Sequence, residues 1–445
     1  MTGVQTCALP IYFISFFSTK SLRVIFFIVN PCSLKFPDSI NVTTLSGSRL
    51  IRFGFVISNI FNDSCMIVLI IIVCPRHKIM EHGHHHFHGK DIPHIKINSK
   101  TSIEDLVEIF SSTGYNARQL GDAAKLWAKM IEEDAVICLT IAGAMTPVGF
   151  GGIIKTLIEK GFIDWIIATG ANVYHEDHFA RGFPVKQGHF EVDDMVLYEK
   201  EIVRIRDVYI KFIETLAAED KVVQEMFRNK LIDKPFTTAE FCNIMGEISA
   251  KHAKHPDKSF LVTAHKYDVP VYVSTLKDSS LAMNLGVHRL QNKVYNLDFV
   301  KEILEQAAIV NSSKKSAIIE LGGGVPKNTA QQTGPMLDQI LGSEDGGQDY
   351  IIQITDARPD TGGLSGATLQ EGKSWGKVQD AHKGTVTVYT DSTIAFPIMA
   401  AYVLATQKPR KPKRIYKNLD AYYSKLQKTY LDRINKKQFK IKRKH

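Results

Sequence analysis

The segment TLQEGKSWGKVQD, residues 368–380, combines residue types that could form a covalent intermediate with a carbonyl compound. It holds the acid Glu371, the lysines Lys373 and Lys377, and Trp375, one of three tryptophans in the chain. A lysine amine becomes a nucleophile when burial or neighbouring positive charge removes its proton, and it then forms an imine. An adjacent tryptophan would supply an apolar wall and a face for a cation. The same residues also fit a surface turn with solvated lysines, so their surroundings must decide.

Glycines and other small residues follow four segments that have the pattern of buried strands. These segments end in IAGAMTP, ATGANVYHED, LGGGVPKN and YTDST. Small residues at strand ends let backbone N–H groups approach a phosphate, and a helix N-terminus that follows favours negative charge. None of the four matches G-x-G-x-x-G, so the common dinucleotide fingerprint is missing. One such glycine indicates only a turn, but four on one sheet edge predict a nucleotide pocket.

Acidic side chains collect near the same strand ends, together with one histidine. A set of carboxylates could hold a polyamine or a metal ion, and each could equally cap a helix or a turn. Their spacing matches no standard metal-ligand motif, so we predict no metal site and consider a cationic substrate the simpler explanation. The residues are His175, Glu176, Asp177, Asp278, Asp356, Asp360 and Glu371.

The elements that must position these residues alternate between strand and helix from residue 101 to 407. Continuous apolar runs predict strands at 135–144, 164–172, 269–275, 316–324, 349–355 and 384–391. Helical patterns fall between them, among others at 194–219, 238–253, 297–311 and 395–406. This alternation predicts an α/β fold, with a mostly parallel sheet covered by helices and ligands bound beyond the carboxyl ends of the strands.

The two ends of the chain differ from this body. Residues 1–79 contain no Glu, two Asp and nine of the 24 Phe, and TGVQTCALPI resembles a translated sequencing adapter. We therefore expect residues 1–79 to be non-native read-through outside the fold, with the native start at or near Met80. Residues 80–100 form a histidine-rich polar segment that could bind a transition metal or be a disordered end. Residues 408–445 carry much of the basic charge and predict a solvated tail.

The composition argues against several classes of protein. The net charge of +9 lies largely in the basic end, and no basic stripe with interleaved aromatics runs through the body, so no nucleic-acid partner is predicted. No apolar run reaches the roughly 18 residues needed to span a bilayer, so no membrane partner is predicted. None of the six cysteines forms a Cys-x-x-Cys pair, which argues against a disulfide scaffold or structural zinc and fits a cytoplasmic location.

Three motifs, LGGGVPKN, GGLSGAT and SWGKV, occur in this order. Their combination resembles the deoxyhypusine synthase family, including its bacterial and archaeal deoxyhypusine synthase-like branch, over roughly residues 100–407. The resemblance implies a Rossmann-like NAD-binding fold, a homotetramer, and NAD-dependent transfer of the 4-aminobutyl group of spermidine. It also implies that an enzyme lysine captures an imine intermediate and that the acceptor is a lysine of translation initiation factor 5A.

The same resemblance assigns roles to residues of this chain. Lys377 would carry the imine, whereas Lys373 falls where the family pattern needs no lysine. Substrate binding is implied for Glu176, Gly323, Asn328, Glu371 and Trp375. Cofactor binding is implied for Ala142, Gly143, Ala144, Met145, Thr146, Ala168, Thr169, Gly170, Asp278, Asp391 and Ser392.

Two positions depart from the family pattern. Asn328 stands where members that modify a protein lysine carry His, and Met283 stands where a second acid is usual. Asp356 and Asp360 could replace the lost carboxylate. Two alternatives to factor 5A modification therefore stay open. One is transfer to putrescine or another small amine, as in homospermidine synthesis, and the other is binding of NAD and polyamine without turnover.

Overall fold

The chain divides into two units, Met1–Asp91 and Ile92–His445. This computed structural model describes residues 89–343 and 346–435 in full, and before residue 89 only the backbone of five strands. These are β1 (Tyr12–Thr19), β2 (Leu22–Val29), β3 (Thr43–Ser46), β4 (Arg49–Ser58) and β5 (Met66–Val73). They pair antiparallel in the order β1-β2-β5-β4-β3. The read-through origin of residues 1–79 stays a prediction, and the histidine-rich stretch up to residue 88 lies outside the described residues.

Within its described part, the second unit contains eleven strands and fifteen α-helices. The strands are β6 (Val136–Ile141), β7 (Trp165–Ala168), β8 (Val185–Gln187), β9 (Ile202–Ile205), β10 (Val208–Lys211), β11 (Pro235–Phe236), β12 (Val271–Val273), β13 (Asn296–Leu297), β14 (Ser316–Leu321), β15 (Tyr350–Thr355) and β16 (Thr385–Tyr389). The helices are α1 (Ile103–Ser112), α2 (Tyr115–Glu132), α3 (Phe150–Glu159), α4 (Gly170–Arg181), α5 (Asp194–Glu199), α6 (Ala218–Phe227), α7 (Thr238–His252), α8 (Phe260–Tyr267), α9 (Ser280–Leu290), α10 (Phe299–Ser312), α11 (Gly324–Gln331), α12 (Thr333–Pro335), α13 (Leu369–Ser374), α14 (Ser392–Thr406) and α15 (Leu419–Asn435). None of these described helices has the length and apolar character that a membrane crossing requires.

The main sheet contains six parallel strands in the order β12-β7-β6-β14-β15-β16. Counted along the chain, this is the order 3-2-1-4-5-6 of the doubly wound dinucleotide-binding fold. The order reverses between β6 and β14, and at such a point a crevice for a ligand opens beyond the carboxyl ends of the strands. The prediction of a mostly parallel α/β sheet is confirmed, with a strand inside each of the six predicted runs.

Helices cover both faces of this sheet, which explains why its strands are continuously apolar. On one face, Ile319 of β14 shares a core with Trp127 of α2 and Phe396 of α14. The rings of Trp127 and Phe396 stack with their centroids 5.9 Å apart. On the other face, Ile318 of β14 belongs to a second core that includes residues of α10 and α11. Because successive strand residues alternate between these two cores, a polar side chain on β14 is buried whichever face it takes.

The prediction of one helix over residues 194–219 is wrong. After α5 the chain forms the antiparallel hairpin of β9 and β10, then a π-helical turn, Phe212–Ala217, and only then α6. The sequences IVRI and VYIK are rich in β-branched residues, which favour strands. Arg206 and Asp207 form the two-residue loop between them, and Arg206 takes the left-handed φ of 59° that short hairpin loops require.

The prediction of a solvated basic tail is wrong for its described part, residues 408–435, which packs against the rest of the second unit. Arg410 Nη2 lies 3.1 Å from Oδ2 of the buried Asp164, and α15 packs against α10. Apolar side chains spaced along this segment are buried: Ile415, Leu419 and Leu426. The many lysines and arginines concealed this apolar spacing, because a basic composition alone favours a solvated end.

Candidate active site

The end of helix α13 fixes the backbone at Lys377. Gly376 has a left-handed φ of 75°, and its N–H donates to the Lys373 carbonyl at 3.1 Å. The Lys377 N–H donates to the Gly372 carbonyl at 3.0 Å. These two bonds form the Schellman helix ending, which needs glycine at the first position beyond the helix. The backbone geometry therefore explains the glycine in SWGK.

The residues after Lys377 are held against the start of β15. The Gln348 N–H donates to the Lys377 carbonyl at 3.0 Å, and the Gln379 N–H donates to the Gln348 carbonyl at 2.8 Å. Val378, between them, is buried. Lys377 thus has backbone hydrogen bonds on both sides, and its side chain leaves from a fixed position.

The amine of Lys377 meets α11, where its Nζ donates to Asn328 Oδ1 at 2.8 Å. Lys377 itself is half-buried. Burial lowers the pKa of Lys377 and the positive charge of Lys327 lowers it further, whereas the carboxylates of Glu320 and Glu371 act in the opposite direction. A lysine with a lowered pKa holds more free amine near neutral pH, and the free amine is the form that attacks a carbonyl or imine carbon.

Beneath α11, a row of polar side chains crosses one buried face of the sheet. Thr140 of β6, Glu320 of β14 and Gln353 of β15 are direct neighbours in the strand register. All three are buried. Lys327 and Gln331 lie four residues apart on α11, so both face this row. A helix that carries Lys327 therefore covers a sheet that carries Glu320.

Lys327 and Glu320 meet between the helix and the sheet. Lys327 is 2% exposed, and its Nζ donates to Gln353 Oε1 at 2.9 Å and to the Ala367 carbonyl at 2.6 Å. The same Nζ lies 4.0 Å from Glu320 Oε2. Glu320 Oε1 accepts from Gln331 Nε2 at 2.7 Å, while Oε2 has no hydrogen-bond partner among the described residues.

Burial shifts the ionisation of both members of this pair. It raises the pKa of Glu320 to about 7, and the charge of Lys327 is the largest influence against that rise. It lowers the pKa of Lys327, and the charge of Glu320 is the largest influence against that fall. Two groups of opposite charge thus share one water-poor site that acts electrostatically on Lys377.

The predicted cofactor segment Ala142–Thr146 leaves β6 where the strand order reverses. Asn172 of α4 organises it, since its Oδ1 accepts from two N–H groups of the segment at 2.7 and 3.2 Å. The Gly143 carbonyl accepts from Asn172 Nδ2 at 3.1 Å and from Thr169 Oγ1 at 2.7 Å. The turns after β6 and β7 are thereby joined into one rim of the crevice.

The triple glycine after β14 forms the opposite rim. Gly322 has a φ of 78°, and a Cβ there would lie 3.1 Å from the Cβ of Ala142. A Cβ at the predicted residue Gly323 would lie 2.5 Å from the Cα of Ser365. Glycine lets these segments approach, because a side chain at either position would crowd the neighbouring segment. The two predicted glycine-rich turns thus meet at the reversal, directly before the helix that carries Asn328.

The other predicted cofactor residues lie at helix starts on the same sheet edge. The segment 168–170 joins β7 to α4, and a Cβ on its glycine would fall 2.3 Å from the Cβ of Ser279. Asp278 precedes that serine at the start of α9. Asp391 caps the first turn of α14, where Ser392 is buried. Helix starts present free N–H groups and a positive dipole end, so this edge suits a bound anion such as a pyrophosphate.

Glu176, a predicted substrate residue, lies apart from Lys377. It is on α4 and 0% exposed, and its Oε1 accepts from the Phe260 N–H at 2.6 Å. Its other oxygen occupies the space beside Gly151, where a Cβ would lie against it. These contacts are with α8 and α3, so the structure does not bring Glu176 to Lys377.

Of the other predicted acids, Glu371 alone acts on Lys377. Glu371 is exposed on α13, and Trp375, at the end of that helix, is 60% exposed. Asp360 pairs with Arg358 through Oδ1 and Nε at 3.0 Å, so its charge is already matched. Among the residues that the structure describes, no group of three or more histidines, cysteines and acids is placed to hold a metal ion.

Four residues of this site were not singled out from the sequence: Asn172, Glu320, Lys327 and Gln353. One signal was available, because Glu320 is a charged residue inside the apolar run SAIIEL. A buried charge in a strand needs a partner, so it marks a candidate site. The partners themselves depend on the register of three strands and the seating of α11, which the pattern of one strand does not contain.

Comparison with known proteins identifies the family of this chain. A family model for deoxyhypusine synthase matches residues 105–403. A deoxyhypusine synthase-like protein of Nostoc sp. is 40% identical over 358 residues, which cover 77% of this chain and 92% of the relative. A protein of Methanosarcina acetivorans named "Probable deoxyhypusine synthase 2" is 33% identical over 318 residues, which cover 71% of this chain and 91% of its own. The chain belongs to the deoxyhypusine synthase family.

Proposed function

We propose that this protein transfers the 4-aminobutyl group of spermidine to an acceptor amine with NAD as cofactor, through an imine on Lys377. The observation that carries the proposal is the position of Lys377. Its half-buried amine, with a lowered pKa, contacts Asn328 beside the reversal point of a dinucleotide-binding strand order. Family membership supplies the reaction type, and the lysine supplies the nucleophile that the reaction needs.

The residues at the sheet edge fit a dinucleotide. The rims approach closely at Ala142 and Gly322, where a Cβ on the glycine would lie 3.1 Å from the Cβ of Ala142, and helices α4, α11 and α14 start at this edge. The segment Ala142–Thr146, the start of α4, Asp278, Asp391 and Ser392 would hold NAD. When bound, NAD would accept a hydride from spermidine and later return it.

Lys377 performs the group transfer itself. Its free amine adds to the carbon of the oxidised substrate imine, and the bond from that carbon to the leaving nitrogen breaks, which releases 1,3-diaminopropane. The lysine is then joined to the aminobutyl group as an imine. The acceptor amine adds to the same carbon and displaces Lys377, which returns to its free form. Each step replaces one amine by another at the same carbon. Water must be excluded, because it would hydrolyse the imine.

Spermidine is a polycation, so its binding site needs negative charge and apolar walls. In one protomer, Glu371 and Trp375 would supply these beside Lys377, while Gly323 shapes the floor. Both side chains are exposed, and Glu176 lies apart on α4. These observations support a homotetramer whose neighbouring subunit completes the amine site, which we propose for this chain as for its family.

The proposal allows two kinds of acceptor amine. A lysine of translation initiation factor 5A is the family acceptor, and putrescine or another small amine is the alternative. Asn328 favours the small amine, because it replaces the histidine of members that modify protein and directly contacts the Lys377 amine. The Nostoc relative is likewise named only as deoxyhypusine synthase-like.

The test is incubation of the purified full chain with NAD and spermidine, with either putrescine or a factor 5A homologue as acceptor. We expect release of 1,3-diaminopropane together with one aminobutylated product, identified by mass spectrometry. Product with putrescine alone would assign the small-amine reaction. Calorimetric binding of NAD and spermidine with no product from either acceptor would overturn the proposal in favour of binding without turnover.

A further inference from the structure

The two lysines near α11 are surrounded very differently. Lys327 Nζ donates to Gln353 Oε1 and to the Ala367 carbonyl, and it also faces Glu320. Two hydrogen-bond acceptors and a carboxylate oxygen 4.0 Å away surround this nitrogen, which suits a charged ammonium group. Lys377 Nζ has a hydrogen bond to one acceptor, Asn328 Oδ1. The geometry thus suits a charged Lys327 and an uncharged Lys377.

Lys327 cannot exchange roles with Lys377. It is 2% exposed, and its hydrogen bonds direct Nζ towards the sheet. A substrate carbon would have to displace both acceptors to reach that nitrogen. Lys327 therefore has no access to the reacting atoms, and any effect on the reaction must pass through another residue.

We propose that Lys327 is a positioning residue that keeps Lys377 in its free-amine form by holding a fixed positive charge in the buried layer beside it, with Glu320 as the counter-charge that limits this effect. A second positive charge disfavours protonation of a neighbouring amine, and low water content strengthens that effect. Glu320 has the opposite influence on Lys377, so the two buried groups act as antagonists. This assignment deepens the proposed function, since it says how that lysine is activated.

Other charges around Lys377 do not replace this pair. Glu371, on α13, favours the protonated amine, as Glu320 does. Lys373, on the same helix, is directed away, with Nζ donating to the Gln379 carbonyl at 2.6 Å. Asp338, in the π-helical turn after α12, approaches Gly376, where a Cβ would lie 3.2 Å from its Oδ2. Of these groups, Lys327 is the cation that directly precedes Asn328, whose Oδ1 accepts from Lys377 Nζ at 2.8 Å, and its charge lowers the pKa of Lys377.

The test measures the amine of Lys377 directly and needs neither NAD nor spermidine. The full-length protein is pulsed with acetic anhydride at a series of pH values, and acetylation of each lysine is read by peptide mass spectrometry. Acetic anhydride reacts with the free amine only, so the rate follows the unprotonated fraction. Exposed Lys373 serves as the internal reference in every sample.

Two substitutions should move the Lys377 profile in opposite directions. Lys327→Met should slow acetylation of Lys377 about fivefold at pH 7.5 and shift its profile to higher pH, because the repelling charge is gone. Glu320→Gln should speed acetylation about threefold and shift the profile to lower pH. Lys327→Arg keeps the charge and should restore the wild-type profile. A purely structural role would change accessibility without opposite shifts along the pH axis.

Each outcome of this experiment either supports or overturns the role of Lys327. If Lys327→Met does not fold, Glu320→Gln and Lys327→Arg still test the assignment, and a Glu320→Gln profile that stays or moves to higher pH overturns it. Shifts of Lys327→Met and Glu320→Gln in the same direction also overturn it. Opposite shifts in a protein that makes no aminobutylated product would sustain this inference while the proposed function fails. Product formation without any shift of the Lys377 profile would support the proposed function and overturn this inference.

Discussion

Two groups of buried ionisable side chains lie in the second unit, and they differ in whether burial is compensated by a partner. Around Lys327, each charged group has a partner of opposite charge or a set of hydrogen bonds. The second group, called the α4 group below, consists of His175, Glu176, Asp177, His178 and Arg181 of α4 with Glu219 of α6, and several of its polar atoms have no such partner. Within the described chain, no hydrogen bond reaches Glu176 Oε2 or either ring nitrogen of His178.

The electrostatics of the α4 group follow from this lack of partners. Burial raises the pKa of Glu176 and of Glu219 well above the ordinary range. It lowers the pKa of His178 to about 3 and that of His175 to about 4. Burial thus favours the protonated form of these carboxyls and the neutral form of these imidazoles, and one ion pair lies beside them, Arg181 Nε to Asp177 Oδ2 at 2.9 Å.

The difference teaches where chemistry is to be expected. Burial without an opposite charge favours the neutral form of a group, as the raised pKa of Glu176 and the lowered pKa of His178 indicate. A buried group with an opposite charge beside it can keep its own charge and impose a field on a neighbour. The pair of Lys327 and Glu320 is of the second kind, and the neighbour is Lys377.

The largest expected effect is on the lysine itself. Lys377→Ala should reduce formation of aminobutylated product by about 10³-fold or more, because the imine intermediate then has no carrier. NAD binding, measured by calorimetry, should persist. The matched control is Lys373→Ala, four residues earlier and exposed, which should retain product formation. A Lys377→Ala protein with the wild-type rate would exclude this residue as the nucleophile.

Much of the fold and part of the site could be predicted from the sequence, and each wrong or missed prediction has a specific physical reason. Six apolar runs identified the sheet because a strand buried on both faces needs little beyond its own residues. The same kind of reasoning placed a helix over the hairpin of β9 and β10, where local pattern was ambiguous and strand pairing decided. Lys377 could be singled out from SWGK, whereas Lys327 could not, because its significance depends on Glu320 and Gln353 across the sheet.

The second prediction concerns the ion pair between Arg181 and Asp177 in the α4 group. Arg181→Met should lower the free energy of unfolding by about 3–5 kcal/mol, because it leaves Asp177 buried without its cation. Arg181 also donates to Ser249 Oγ at 2.9 Å, so that bond is lost too. Denaturant unfolding measures the effect. The exposed pair of Arg358 and Asp360 is the control, since Arg358→Met should change stability little.

If Arg181→Met unfolds at the wild-type denaturant concentration, Asp177 must be relieved by water or by protonation. The α4 group would then be accessible to solvent, and its contrast with the Lys327 pair would disappear.

A third prediction concerns pH. The folded-state pKa of Glu176 is raised, so between its unfolded and folded pKa values the folded protein holds more protons than the unfolded chain. Its free energy of unfolding therefore falls as pH rises through this window. Glu176→Gln should remove that fall, so the variant should gain stability relative to wild type between pH 5 and pH 8.

Denaturant unfolding at the two pH values, at equal protein concentration, measures the gain from Glu176→Gln. Glu199→Gln, at an exposed glutamate of α5, is the control and should follow the wild-type slope. A variant at Glu176 that loses stability relative to wild type as pH rises would mean that this carboxylate is ionised and paired, which would make the two groups alike.

The smallest expected effect tests whether the backbone turn at Gly376, or only the packing around the Lys377 side chain, positions this lysine. Gly376→Ala places a side chain on a residue with φ of 75°, which should cost about 1 kcal/mol of unfolding free energy. Gly286→Ala is the matched control, because that glycine is exposed on α9 with open space around it and should not lose stability. The Schellman ending positions the Lys377 backbone, so Gly376→Ala should also slow product formation although it touches no reacting atom. A Gly376→Ala protein with unchanged unfolding and unchanged rate would mean that the lysine tolerates a shifted turn, and that its surroundings on α11 alone define the site.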